Sequence, residues 1–208
     1  MSDGAVRRPL TSRGRRTRQR LVDAARVVFE RDGFLNSRLV DITGEAGTAI
    51  GSFYTYFDSK EAVLEAVFDD VRDEMVHARP ARPAADQGPI GTIEAANRLY
   101  LETYRRDARL MALLEQVSTT SDQLLQLKRS RVAAFRERNG RAIADLQANG
   151  LVDPDLDPYL AAEALSHMVS RMAYETFVLE SGWDFEILVA GVTRLWTNAL
   201  QLTSRVES

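Results

Sequence analysis

Residues 46 to 61 read AGTAIGSFYTYFDSKE, and five polar groups of this stretch share one chemistry. Ser52, Tyr54, Thr55 and Tyr56 carry hydroxyls and Lys60 carries an ammonium, all able to donate hydrogen bonds to anionic oxygens. Donors on or just after a short helix suit the phosphate oxygens of a duplex, contacts that fix a protein's register on nucleic acid. Covalent chemistry finds nothing comparable. The two histidines, His77 and His167, are far apart in sequence, and there is no cysteine, no HExxH and no phosphate-cradling glycine loop. No catalytic residue, metal site or cofactor is expected, and the chain is not expected to be an enzyme. Zero cysteines excludes disulfides and thiolate ligands.

The charge distribution points the same way. The formal net charge of −3 over 208 residues conceals an asymmetry: residues 1 to 60 hold eleven Lys/Arg against seven Asp/Glu, and the remainder is strongly acidic. Among the first twenty residues there are seven arginines, including Arg15, Arg16 and Arg18, against one aspartate. That is the composition of an arm that lies on phosphates. At 45% hydrophobic and 27% charged residues the chain is globular in composition. Arg171 and Glu175 interrupt the most apolar stretch, Leu165 to Leu179, so no membrane span is expected. No secretory signal is read at the N-terminus, and the cytoplasm is the expected location.

These groups need helices to position them. Leu21, Ala25, Val28 and Phe29 recur at helical spacing from Thr17 to Asp32, with Gly33 suited to the left-handed position after a helix. Ser37 is the expected N-cap of a second helix, Leu39 to Ala46, which Gly47 ends, and a third helix covers about Ala49 to Phe57. DSKE at 58 to 61 has the capping-box form, with Asp58 as cap, and opens a helix striped by Val63, Leu64, Val67, Val71 and Met75. The segment 77 to 91, with Pro80, Pro83 and Pro89, breaks regular helix. Beyond it the signals are again helical: Ile93 to Arg105, Leu110 to Val117, Ser121 to Asn149, Tyr159 to Ser181 and Phe185 to Leu202. The expected fold is all-α. It comprises a basic arm (1–16), a three-helix helix-turn-helix domain (17–62), a linking helix with a Pro-rich connection (63–90) and a larger helical domain (91–208).

Helix, glycine turn and short helix is the arrangement whose second helix enters the major groove. The residues G33F34, D41I42, A46G47, G51S52F53Y54, Y56F57 and S59K60E61 resemble the N-terminal signature of the TetR family of bacterial transcriptional regulators, over about residues 15 to 65. The resemblance implies that Ser37, Arg38, Thr48, Ala49, Ile50, Gly51, Ser52, Tyr54 and Thr55 face DNA. Tyr54, Tyr56 and Lys60 would lie on phosphates, while Phe53 and Phe57 belong to the core. Gly51 would let backbone and duplex approach closely. The sequence departs from the family pattern at Thr43, Thr48, Ala49 and Ile50. Thr48 could take over the capping role, and Ile50 could read only shape or a thymine methyl.

The resemblance further implies a homodimer built from the last two long helices, where Ala161, Ala162, Ala164 and Gly191 offer close packing, and hence a palindromic operator. It also implies a small-molecule effector pocket after residue 91. Tyr100, Tyr104, Met111, Leu114, Phe135, His167, Arg171 and Tyr174 are its candidates. The last three share a helical face, which suits a polar clamp on the effector, a dimer interface or ordinary core. The expected function is a homodimeric transcriptional regulator, a repressor released from double-stranded operator DNA by a largely apolar effector. A helical interaction module, or an activator not released by ligand, is the alternative.

Overall fold

The computed structural model describes residues 11–77, 88–119 and 122–202; the expected arm residues 1–10 and the proline-bearing stretch 78–87 lie outside the described residues. Among the described residues all regular structure is helical. The chain divides into two compact units, one ending at Phe68 and one beginning at Asp69.

The first unit contains α1 (Ser12–Asn36), α2 (Leu39–Glu45), α3 (Ile50–Tyr56) and the start of α4 (Lys60–His77). Its core is the one the spacing predicts: Leu21, Ala25, Val28 and Phe29 of α1 are buried with Ile42, Phe53, Phe57, Val63, Leu64, Val67 and Phe68. Phe53 stacks on Phe57 with ring centroids 5.7 Å apart. The side chain of Met75 lies outside the described residues. Gly33 has φ +75 and kinks the last turn of α1, and Gly47 has φ +60 and makes the turn between α2 and α3.

Three helix starts or caps in the first unit differ from the sequence expectation. Thr11 caps α1 by accepting from the Gly14 N–H at 3.1 Å, so residues 12–16 are helical rather than part of an extended arm. The cap of α2 is Arg38, not Ser37: the Asp41 carboxylate accepts from the Arg38 backbone N–H at 3.2 Å, while the buried Ser37 hydroxyl donates to the Phe34 carbonyl at 2.8 Å. At α4 the cap is Ser59, whose hydroxyl oxygen accepts from the Ala62 N–H at 3.1 Å, one residue beyond the expected Asp58.

The second unit holds the rest of α4, then α5 (Gly88–Arg106), α6 (Ala108–Val117), α7 (Asp122–Ala148), α8 (Pro158–Phe177) and α9 (Phe185–Ala199). Helix α5 begins five residues before the expected Ile93, with Pro89 in its first turn, where a missing N–H costs nothing. Asp157 and Asp184 cap α8 and α9, each accepting two backbone N–H groups. Helix α8 stops at Phe177, four residues before the expected Ser181, because Glu180 takes a left-handed φ of 54 and the chain bonds back through Leu179 N–H to the Tyr174 carbonyl at 3.1 Å. Helices α7 and α8 meet closely at Gly140, where a Cβ would lie 2.8 Å from Cε1 of Tyr159 and 3.0 Å from its Cγ.

Candidate nucleic-acid interface and an internal cavity

Packing decides which residues of α3 remain available. Phe53 is 0% exposed and Phe57 3%, so the helix is anchored through one face, leaving Ile50 at 44% and Tyr54 at 56% exposure on the other. Ala49, Gly51 and Thr55 are exposed as well, and Ser52 and Tyr56 are half-buried. The Thr55 hydroxyl donates to the Gly51 carbonyl at 3.4 Å and is otherwise turned outward. Gly51 is the informative position: a Cβ there meets no atom within 4 Å among the described residues, none of which requires glycine.

Thr48 does not act as expected. Its hydroxyl is buried without a hydrogen-bond partner among the described residues, and α3 is capped by Ala49 with no side-chain bond. The side chain therefore does not cap the helix. Ser37, at 3% exposure, is likewise structural.

Lys60 also departs from its expected place. Its Nζ donates to the carbonyls of Phe34 at 2.6 Å and Ser37 at 2.9 Å and lies 4.5 Å from the centroid of the Phe34 ring. The ammonium fastens the start of α4 to the corner between α1 and α2, and burial pulls its pKa below the ordinary lysine range. A phosphate would have to compete with two carbonyls. Arg38, by contrast, is mostly exposed, held by two guanidinium bonds of 3.0 Å to Asp41, an arrangement that aims it from the N-terminus of α2. The pairing holds the Asp41 carboxyl below its usual range. Arg15 and Arg16 are exposed near the start of α1, and Arg18 sits 5.0 Å over the Phe57 ring.

One residue of this unit was missed by sequence reasoning. Arg20 donates from Nη2 to the carbonyl of Ala46 and so pins α1 to the turn that orients α3. A Cβ on Gly47 would lie 3.2 Å from that same Nη2. The signal in the sequence was only an arginine within a run of arginines.

The second unit encloses a cavity of about 360 Å³ walled by α5 to α9. Tyr100, Tyr104, Met111, Leu114, Phe135 and His167 are all in its wall, but Arg171 and Tyr174 are not. Arg171 pairs with Glu175 and lies 5.2 Å over the Tyr174 ring on the outer side of α8, so the expected three-residue clamp is not assembled. Tyr100 packs edge-on against Phe135 at 5.4 Å and beside Tyr104 at 5.9 Å. Burial raises the pKa of both phenols, Tyr100 also bonding Ser170. The polar groups that do line the cavity include Asn97, Arg131, Arg138 and Asn139, none of which sequence reasoning selected. The two arginines sit on α7, a helix of weak amphipathic pattern, where a buried arginine is indistinguishable from a solvated one.

Among the described residues no group of His, Asp or Glu is placed to hold a metal ion, and no helix is long and apolar enough to cross a membrane.

Comparison with known proteins identifies the first unit. The family of bacterial regulatory proteins, tetR family, matches residues 21–67, the segment from the middle of α1 to α4. The chain is 24% identical over 177 residues to the HTH-type transcriptional regulator TtgR of Pseudomonas putida, covering 81% of this chain and 83% of that one. It is 29% identical over 157 residues to the HTH-type transcriptional repressor DhaR of a Mycobacterium species, covering 71% and 76%. A crystal structure of a putative TetR-family transcriptional regulator from Syntrophomonas wolfei superposes with a TM-score of 0.77 at 18% identity, over 93% of this chain and 99% of that one. The fold is shared throughout, and the relatives are regulators, not enzymes. A helix-turn-helix whose buried and exposed faces divide as described, and which that family matches from α2 through α3, makes residues 21–67 a DNA-binding domain of the tetR family, in a chain whose relatives are transcriptional regulators.

Proposed function

We propose that the protein is a homodimeric repressor that binds a palindromic operator through α2 and α3 and leaves it when a small, largely apolar effector fills the cavity of the second unit. The observation that carries the reading is Gly51. A glycine in the first turn of α3 that the described residues do not require costs up to about 1 kcal/mol relative to alanine, and its empty surroundings suit a duplex lying against the backbone. Ala49, Ile50, Tyr54 and Thr55 are exposed on or beside α3, with Ser52 and Tyr56 half-buried there, and Arg38 is exposed at the start of α2. Arg15 and Arg16 add a second argument. Both are exposed near the start of α1, whose first turn contains no acidic residue, a position where cations can meet phosphates.

Dimerisation is supported by faces that the chain leaves uncovered. Ile187 and Leu195 of α9 are 60% and 52% exposed, Gly191 lies between them, and Leu160 of α8 is 67% exposed. Ala164 and Gly191 are open for close packing, whereas Ala161 and Ala162 are used within the chain. Repression is supported by the relative named as a repressor. Effector response is supported by the cavity, and α4 is the covalent link through which its occupancy could bias the helix-turn-helix.

Selection of bound fragments from genomic DNA by the purified protein tests the reading, followed by anisotropy titration of the recovered site. The expected result is one palindromic sequence bound tightly and with steep salt dependence. Weak, sequence-blind binding would overturn it in favour of a helical interaction module.

A further inference from the structure

On α5 the cavity wall includes Ile93, Asn97, Tyr100 and Tyr104, three or four residues apart, so one face of that helix looks inward. The Tyr100 ring meets Phe135 of α7 edge-on at 5.4 Å and lies beside Tyr104 at 5.9 Å. Rings in this arrangement offer flat apolar surface to a guest. The volume of about 360 Å³ falls in the range of small-molecule sites.

Most polar groups of the wall already have partners. Lys128 donates to Glu115 at 2.6 Å, and Glu163 pairs at 3.4 Å with Arg136, which stands outside the wall. Arg138 donates to Asn139 at 3.1 Å, and Asn139 to Ser166 at 3.0 Å. Arg131 reaches the Met111 sulfur at 3.7 Å, and both arginines have further interactions besides. Asn97 donates to Thr193 at 3.2 Å, Tyr100 bonds Ser170, and Nδ1 of the exposed His167 bonds the Glu163 carbonyl at 2.9 Å. A charged guest would have to compete with partners in place. The Trp196 N–H has no partner among the described residues, but that nitrogen is fully enclosed and is not presented to a guest. Tyr104 differs. It lines the cavity at 4% exposure, and its hydroxyl has no hydrogen-bond partner among the described residues. Of the four groups whose charges act on that hydroxyl, Tyr100, Glu115 and Arg131 are in the wall, which sets it on the cavity side. Burial, then Tyr100 and Glu115, raise its pKa, so the proton stays on the oxygen.

We propose that the effector is a neutral ring compound bearing a carbonyl group, its oxygen accepting from the Tyr104 hydroxyl and its ring lying against Tyr100 and Phe135. This inference rests on the effector reading above and specifies its chemistry. A phenol shares its lone pair with the ring and is a better donor than acceptor, so the guest must supply the acceptor. A carbonyl oxygen does so without bringing a charge into the cavity, whereas a carboxylate must first leave water.

Three probes with one ring system isolate the polar group: 2-acetylnaphthalene, its carbon isostere 2-isopropenylnaphthalene, in which a methylene replaces the oxygen, and 2-naphthoate. Equilibrium dialysis against the full chain, read by the absorbance of the naphthalene, gives each affinity. The ketone is expected to bind about fivefold tighter than the isostere, the size of one neutral hydrogen bond. Naphthoate is expected to bind about tenfold more weakly than the ketone, because its charge must be desolvated. In Tyr104→Phe the ketone and the isostere should bind alike, with Tm held or raised, since that substitution removes a buried hydroxyl that has no partner. Tyr100→Phe, which takes a partner from Ser170, should lower Tm and keep the ketone preference. Equal binding of ketone and isostere, tighter binding of naphthoate, a ketone preference that survives Tyr104→Phe, a lowered Tm in that variant, or no binding of any probe would each overturn the inference. Operator anisotropy measured on the same samples separates the two readings. A ketone that binds through Tyr104 without releasing DNA removes effector release and leaves the site, whereas equal release by ketone, isostere and acid does the reverse.

Discussion

Lys60 shows how one side chain can satisfy a sequence motif for a reason other than the expected one. Its ammonium donates to the Phe34 and Ser37 carbonyls, so removing it strands two acceptors at the corner that positions α2. Lys60→Met should therefore lower stability by about 1–3 kcal/mol and weaken operator binding together. Tyr54→Phe removes only an exposed hydroxyl and should weaken binding with Tm unchanged. Thermal denaturation beside anisotropy distinguishes the two, and an unchanged Tm for Lys60→Met would return its ammonium to the phosphates. The two glycines of the motif separate in the same way. Gly51→Ala should hold or raise stability by up to about 1 kcal/mol while operator affinity falls, because the methyl meets only the duplex. Gly47→Ala, at φ +60 and against Arg20, should lower stability by about 1–2 kcal/mol whatever is bound. Should Gly51→Ala leave affinity intact, the close approach of DNA to α3 is wrong.

At the scale of elements, the sequence was most legible where a periodic apolar face met a special backbone position. The Leu21 to Phe29 stripe, Gly33 and Gly47 located α1 and the turn, and Phe53 and Phe57 were rightly placed in the core. Caps were less legible because neighbouring candidates compete. Ser59 and Asp58 both fit the start of α4, and Asp41 lets an arginine stand where Ser37 was expected. The cavity was half-legible: its aromatic and apolar lining followed from residue type, but Arg131 and Arg138 look like surface residues until α5, α8 and α9 close over them. Gly140 was not legible at all, since its role depends on a partner in another helix. With Tyr159 pressed on its Cα, Gly140→Ala should cost about 1–3 kcal/mol by overpacking α7 against α8. Tyr159→Ala should absorb the added methyl, so the double variant should be more stable than the two single losses sum to. Strict additivity in that denaturation cycle would show that the helices separate freely there.

For the whole molecule, oligomeric state and phosphate contact can be read from one slope. The logarithm of the operator binding constant falls linearly with the logarithm of salt concentration, by roughly 0.9 for each phosphate neutralised by a cation. Arg16 is exposed near the start of α1, whose first turn contains no acidic residue. If it rests on a phosphate in each half of a palindrome, Arg16→Ala removes two such contacts per complex, and the slope should fall by about two. A monomer on a single half-site would lose only about one. Tyr54→Phe, which changes no charge, should weaken binding in parallel at every salt concentration. Leu195→Glu, set into the exposed face of α9, should halve the mass in light scattering and bring the Arg16→Ala decrement down to about one. A decrement that stays near two in that background would place the dimer contact elsewhere on the second unit. A decrement near zero in the parent chain would take Arg16 off the phosphates and leave recognition to α2 and α3 alone.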